Sequence, residues 1–150
     1  MYKRILTVIA LFAMLLPTHA ADADYQVIPL PQQIIMGKSK PFNLLPTTQV
    51  ICASTDELMM KNAQFLCDYI KETTGLTLQV NNNAKVSSPA ILLTIDPKIQ
   101  GEEAYRLTVT PKRVTISGKT SAGVFYGIQT LRKSLPIVTE ATSEPVMLPS

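Results

Sequence analysis

Met59, Ala63, Leu66 and Ile70 recur at intervals of three and four residues, and no other pattern in the 150-residue chain constrains its fold as strongly. Residues so spaced share one face of an α-helix, and Leu58, Phe65 and Tyr69 widen that apolar face. Ser54 is placed to open the helix: its hydroxyl can accept from the amide three residues on, and Glu57 can reach back, the reciprocal arrangement of a capping box. Gly75 is placed to end it, because glycine adopts the left-handed conformation that closes a last turn without steric cost. The apolar run Val50-Ile51-Cys52 before the helix reads as a buried strand. Leu76, Leu78 and Val80, alternating with Thr77 and Gln79, read as a strand directly after it. Asn81-Asn82-Asn83 is turn chemistry. Strand, helix and strand in succession make the pattern α/β.

The rest of the chain continues it. Ile91 to Ile95 is apolar on both faces until Thr94, as expected of a central strand. Tyr105, Leu107 and Val109 alternate with Arg106, Thr108 and Thr110; after Pro111-Lys112, Val114 and Ile116 alternate in the same way, which predicts a hairpin with one buried face. A last helix is expected from about Ser121 to Leu135, with Val124, Ile128, Leu131 and Leu135 on one stripe and Pro136 as its stop. Gly123 and Gly127 in that helix each cost about 1 kcal/mol of propensity relative to alanine. Their i, i+4 spacing puts both on one face, where the missing side chains admit a close neighbour: the domain's own sheet in the simpler case, another domain otherwise. Near the start, Pro29 and Pro31 remove backbone donors, so Gln26 to Gln33 is expected to be an edge strand or extended strap.

The first twenty residues read as a leader. Tyr2-Lys3-Arg4 is a short basic start, Ile5 to Leu16 is almost wholly apolar, and Thr18-His19-Ala20 supplies small residues where a signal peptidase cuts. The apolar run is shorter than the roughly 20 residues that cross a bilayer as a helix. A periplasmic or secreted destination is therefore expected, with cleavage after Ala20 and no membrane attachment afterwards. Without Lys3 and Arg4 the 14 basic side chains become 12 against 11 acidic ones, a net charge of +1. No cluster of basic residues exceeds Lys112-Arg113 or Arg132-Lys133, which argues against nucleic acid as a partner.

After Ala20 the chain has no histidine and no tryptophan, so any acid–base chemistry would fall to carboxylates. Asp56-Glu57 and Glu102-Glu103 are the adjacent pairs. The first sits where a helix begins, a position that favours negative charge; the second fits a solvated approach to a strand. Tyr105 and Tyr126 read as core or domain contacts rather than sugar platforms. In an exported protein Cys52 and Cys67 invite a disulfide. However, Cys67 lies about 20 Å along the helix from its start at 1.5 Å per residue, whereas Cys52 stays beside that start. Two separate buried thiols are expected. With no histidine to complete a ligand set, neither a metal nor any other cofactor is expected.

Ile28-Pro29-Leu30-Pro31-Gln32, Glu103-Ala104-Tyr105-Arg106-Leu107 and Gly123-Val124-Phe125-Tyr126-Gly127-Ile128-Gln129-Thr130-Leu131 resemble the N-terminal domain of secreted bacterial β-N-acetylhexosaminidases, glycoside hydrolase family 20. The last motif is the most specific. The resemblance implies an α/β (α+β) domain of the zincin-like type, a mixed sheet with two main helices packed on one face, followed by a (β/α)8 barrel that holds the active site. The expected division is a signal peptide at 1–20, the hexosaminidase-type domain at 21–140, and at 141–150 a linker towards a barrel that this chain, a fragment or a short gene product, does not contain. The family removes terminal β-linked N-acetylglucosamine or N-acetylgalactosamine with the substrate's acetamido group as nucleophile, a glutamic acid as acid/base and an aspartate orienting the acetamide. Those carboxylates belong to the barrel and follow a glycine doublet, whereas Ser54-Thr55 precedes Asp56-Glu57 here. The resemblance thus implies no catalytic, cofactor-binding or metal-binding residue in this chain, with the C-terminal barrel as partner and glycan met only through it. The alternatives are a free-standing exported module that binds glycan or protein, and the same domain from another glycosidase family.

Overall fold

Asp56, two residues beyond Ser54, begins the first helix. The computed structural model describes residues 31–35, 37–82, 89–135 and 146–148. In it the Asp56 carboxylate accepts from the amides of Leu58 at 2.7 Å and Met59 at 3.2 Å, and helix α1 runs over Glu57–Thr74. The Ser54 hydroxyl accepts from the Asp56 amide at 3.1 Å, bracing the preceding loop instead of the helix. The expected capping box is therefore displaced. An aspartate caps as well as a serine and adds a negative charge where the helix dipole favours one. Glu57, instead of reaching back, pairs forward with Lys61 at 2.7 Å on the solvent side. Replacing Asp56 with alanine should lower stability by about 0.5–2 kcal/mol and replacing Ser54 should cost less. Urea midpoints of the two variants in the reverse order would return the cap to Ser54.

The helix ends as expected. Gly75 sits at φ 75° and its amide donates to the Lys71 carbonyl at 2.9 Å. Met59, Ala63, Leu66, Cys67 and Ile70 form the buried face, while Leu58, expected to widen it, is 58% exposed. The alternating segment that follows contributes less strand than its pattern suggests. Leu78 is buried and Gln79 offers its carbonyl to the Val50 amide, but only β3 (Val80–Asn81) joins the ladder. Asn81 thus belongs to a strand rather than to the expected turn, and Asn83 lies outside the described residues.

The main sheet is mixed. Its strands are β2 (Gln49–Ile51), β3, β4 (Ala90–Ile95), β5 (Tyr105–Thr110) and β6 (Arg113–Gly118), in spatial order β3-β2-β4-β6-β5. β4 is central and parallel to both neighbours; β5 closes the edge as the antiparallel arm of the expected hairpin. The register aligns Val50, Ile91, Val114 and Val109 in one row and Leu93, Ile116 and Leu107 in the next. These rows face α1 and helix α2 (Ser121–Ser134), and all their side chains belong to or pack on the core. Successive strand residues point to opposite faces, so Thr94, Ser117 and Arg106 line the face away from the helices.

Thr120 caps α2: its hydroxyl accepts from the Gly123 amide at 3.4 Å and donates to the Glu102 carbonyl at 2.6 Å. Val124, Ile128, Leu131 and Leu135 are buried as the stripe predicts. Leu135, ahead of Pro136, already has extended backbone at φ −77°, ψ 131°, because the proline ring disfavours a helical residue before it. No helix among the described residues is long and apolar enough to cross a membrane.

A second, two-stranded sheet pairs β1 (Phe42–Leu44) antiparallel with β7 (Val146–Leu148). Phe42, Leu44, Val146 and Leu148 all enter the core, with Asn43 and Met147 outward between them. β7 falls within 141–150, the stretch expected to be linker, so packing carries the domain to Leu148. Of the expected strap at Gln26 to Gln33, residues 31–33 carry no strand and the remainder lies outside the described residues, as does the leader.

Candidate functional site

Two hydrogen bonds set the helices side by side. Asn62 Nδ2 of α1 donates to the Ser121 carbonyl at the start of α2, at 2.8 Å, and the Tyr69 hydroxyl donates to the Arg132 carbonyl near its end, at 3.3 Å. Both helices therefore run in the same direction, their inner faces on the sheet. Their other sides meet along a seam of aromatic rings. Phe65, one turn from both Asn62 and Tyr69, lies with its ring centroid 5.8 Å from that of Phe125, tilted by 44°, and Phe125 meets Tyr126 edge-on at 6.0 Å. Phe125 is 36% exposed.

Arg132 closes one end of this seam. It follows Phe125 by seven residues, two helical turns, so both lie on the same side of α2. Its guanidinium carbon is 4.6 Å from the centre of the Tyr69 ring and 5.8 Å from that of Phe65, a cation–π stack on α1. Nη1 donates to Gln129 Oε1 at 2.9 Å. Nε is shielded from solvent and has no hydrogen-bond partner among the described residues, a condition that costs about 1–3 kcal/mol for a buried donor. In the sequence Phe125 adjoins the apolar stripe of Val124, Ile128, Leu131 and Leu135, whereas nothing there singles out Arg132. The pattern that reveals it is Phe125, Gln129 and Arg132 at i, i+4, i+7, opposite Phe65 and Tyr69 at i, i+4.

The two glycines of α2 work on its inner side. A Cβ on Gly123 would collide with the Ala104 carbonyl oxygen and lie 3.2 Å from Gly118 Cα; one on Gly127 would collide with Ile116 Cγ2 and lie 3.2 Å from the Tyr105 ring. The close neighbour is thus the domain's own hairpin and the turn before it. Tyr105 is held there, its hydroxyl 2.6 Å from Thr130 Oγ1.

The carboxylate pairs do not converge. Asp56 caps a helix and Glu57 is tied to Lys61, whereas Glu102 pairs with Lys119 at 2.8 Å beside the exposed Glu103. Among the described residues no group of three histidine, cysteine or acidic side chains could hold a metal ion. Cys52 and Cys67 are both buried and unpaired by disulfide, and the Cys52 thiol donates to the Met59 carbonyl at 3.7 Å. Burial first, with Asp56 adding to it, pushes the Cys52 thiol up; burial, then Asp68, raises Cys67 to about 11. Both stay protonated at neutral pH, where a thiol is a poor nucleophile. What this surface presents is a seam of aromatic rings with the cation of Arg132 stacked at one end.

Comparison with known proteins identifies the family. Residues 24–143 match the family described as glycosyl hydrolase family 20, domain 2. Over 129 residues the chain is 35% identical to the β-hexosaminidase of Porphyromonas gingivalis, covering 85% of this chain and 16% of that protein. A β-N-acetylhexosaminidase of Cellulomonas fimi is 27% identical over 120 residues, 79% of this chain and 24% of its own length. Among solved structures, the family 20 β-N-acetylhexosaminidase of Streptomyces coelicolor superposes with a TM-score of 0.72 at 27% identity, covering 85% of this chain and 25% of that one. The chain spans a quarter or less of the length of each of these proteins. It belongs to glycosyl hydrolase family 20, in the region of that family's domain 2.

Proposed function

We propose that this chain is the non-catalytic accessory domain of an exported β-N-acetylhexosaminidase, packed beside a (β/α)8 barrel that removes terminal β-linked N-acetylglucosamine or N-acetylgalactosamine. The observation that carries the reading is the domain 2 match, joined to the small share of each relative that the chain covers. The leader at 1–20, cleavage after Ala20 and a periplasmic or secreted location belong to the same proposal. So does a connection to the barrel beyond β7.

The aromatic seam favours a supporting role over glycan capture. Phe65, Phe125 and Tyr126 pack on one another and Arg132 covers a face of Tyr69, so these rings are engaged within the domain rather than laid out as a platform. Purified chain incubated with a chromogenic β-N-acetylglucosaminide should release no product above blank. Turnover that disappears in a Glu57→Gln variant would place catalysis in this domain and overturn the assignment.

A further inference from the structure

Strand β5 ends the main sheet with a long edge that pairs with no other strand among the described residues. Its six residues follow β6 without a bulge, and none is proline or lysine, the devices by which edge strands commonly discourage pairing. The core is also unfinished there. Ile116 and Val114 of β6 are fully buried, whereas Leu107 and Val109, opposite them on β5, are only half-buried. One further strand would cover them. The two ends of β5 differ in charge: Glu102-Glu103 precede it and Lys112-Arg113 follow it, all four exposed. Antiparallel pairing of two copies of β5 sets the acidic end of each beside the basic end of the other, twice over by symmetry. Centred on Leu107 or Thr108, the pair leaves Arg106 opposite a threonine, so no like charges face each other within the strands.

We propose that two copies of this chain associate through β5, edge to edge and antiparallel about a two-fold axis, joining their five-stranded sheets into one. Backbone N–H and C=O groups along the edge supply the bonds, Leu107 and Val109 the apolar burial, and the charged ends the direction and register. Residues directly opposite one another share a face of the sheet, so both helix layers lie on the same side of the joined sheet. The contact uses neither helix and does not depend on the accessory role.

Sedimentation of the purified chain, from about 1 µM to 1 mM, measures the association. A monomer–dimer equilibrium is expected, weakened by added salt because the charged ends are solvent-exposed. Glu103→Lys and Lys112→Glu should each raise the dimer dissociation constant about tenfold, since each reversal sets like charges together at both ends of the pair. An equimolar mixture of the two variants, in which opposite charges meet again, should recover most of the loss. Both positions are exposed, so each variant should fold as the parent does, which urea midpoints check. A chain that stays monomeric throughout this range, or a dimer that ignores either reversal or is not restored by mixing, would overturn the β5 interface.

Discussion

Alanine at Gly123 should lower the stability of the domain by about 1–3 kcal/mol, although helix propensity alone would raise it by nearly 1 kcal/mol. The added methyl would meet the Ala104 carbonyl and the Gly118 backbone, neither of which can turn aside as a side chain does. The helix would have to lift from the hairpin, disturbing the seats of Val124 and Ile128, both fully buried. Gly127→Ala should cost a similar amount, because its nearest obstacle is the Cγ2 methyl of Ile116, a stiff β-branched side chain fully buried on the strand, with the Tyr105 ring beside it. Denaturant midpoints of the two variants decide the matter. A stabilised Gly123→Ala would mean that propensity governs the position and that the close approach of helix to turn is wrong.

A larger loss is expected at the other end of the fold. Phe42 and Leu148 face each other across the β1–β7 pair, at 0% and 1% exposure. Phe42→Ala should remove about 3–5 kcal/mol, a large part of the 5–15 kcal/mol that holds an ordinary domain together. Ending the chain before Val146 should do comparable harm, since it uncovers Phe42 and Leu44 and leaves the ladder groups of β1 unpaired. Equilibrium urea unfolding of the two proteins measures both effects. If the shortened chain unfolds at the same urea concentration as the full one, residues 141–150 are only a linker and β7 contributes nothing to the core.

Local patterns were legible because their causes are local. The spacing of Met59, Ala63, Leu66 and Ile70 has one geometric solution, Gly75 supplies a backbone conformation that other residues avoid, and Pro136 forbids a helical Leu135. The alternation at Tyr105 to Val109 and at Val114 to Ile116, with a proline turn between, likewise carries its own hairpin. The motif around Gly123 to Leu131 carried the family, and with it the two-helix mixed sheet.

Where two residues competed for one role, sequence was ambiguous and tertiary structure chose. Ser54 and Asp56 both suit a helix start; the carboxylate reaches the Leu58 and Met59 amides, which leaves the serine to brace the loop. Leu58 extends the apolar pattern on paper, yet it lies beyond the sheet's reach. The candidate site was least legible, since its parts come from two helices some sixty residues apart: Phe65 and Tyr69 acquire meaning only when Phe125 and Arg132 are set against them. The sequence by itself determined the two helices and where they stop, the central strand and the hairpin, but it overextended the strand at Leu76 to Val80 and did not show β1 or β7. The pairing of Phe42 with Leu148, the parallel order around β4 and the stacking of Arg132 were decided by tertiary structure, because each depends on burying apolar surface shared between residues remote along the chain.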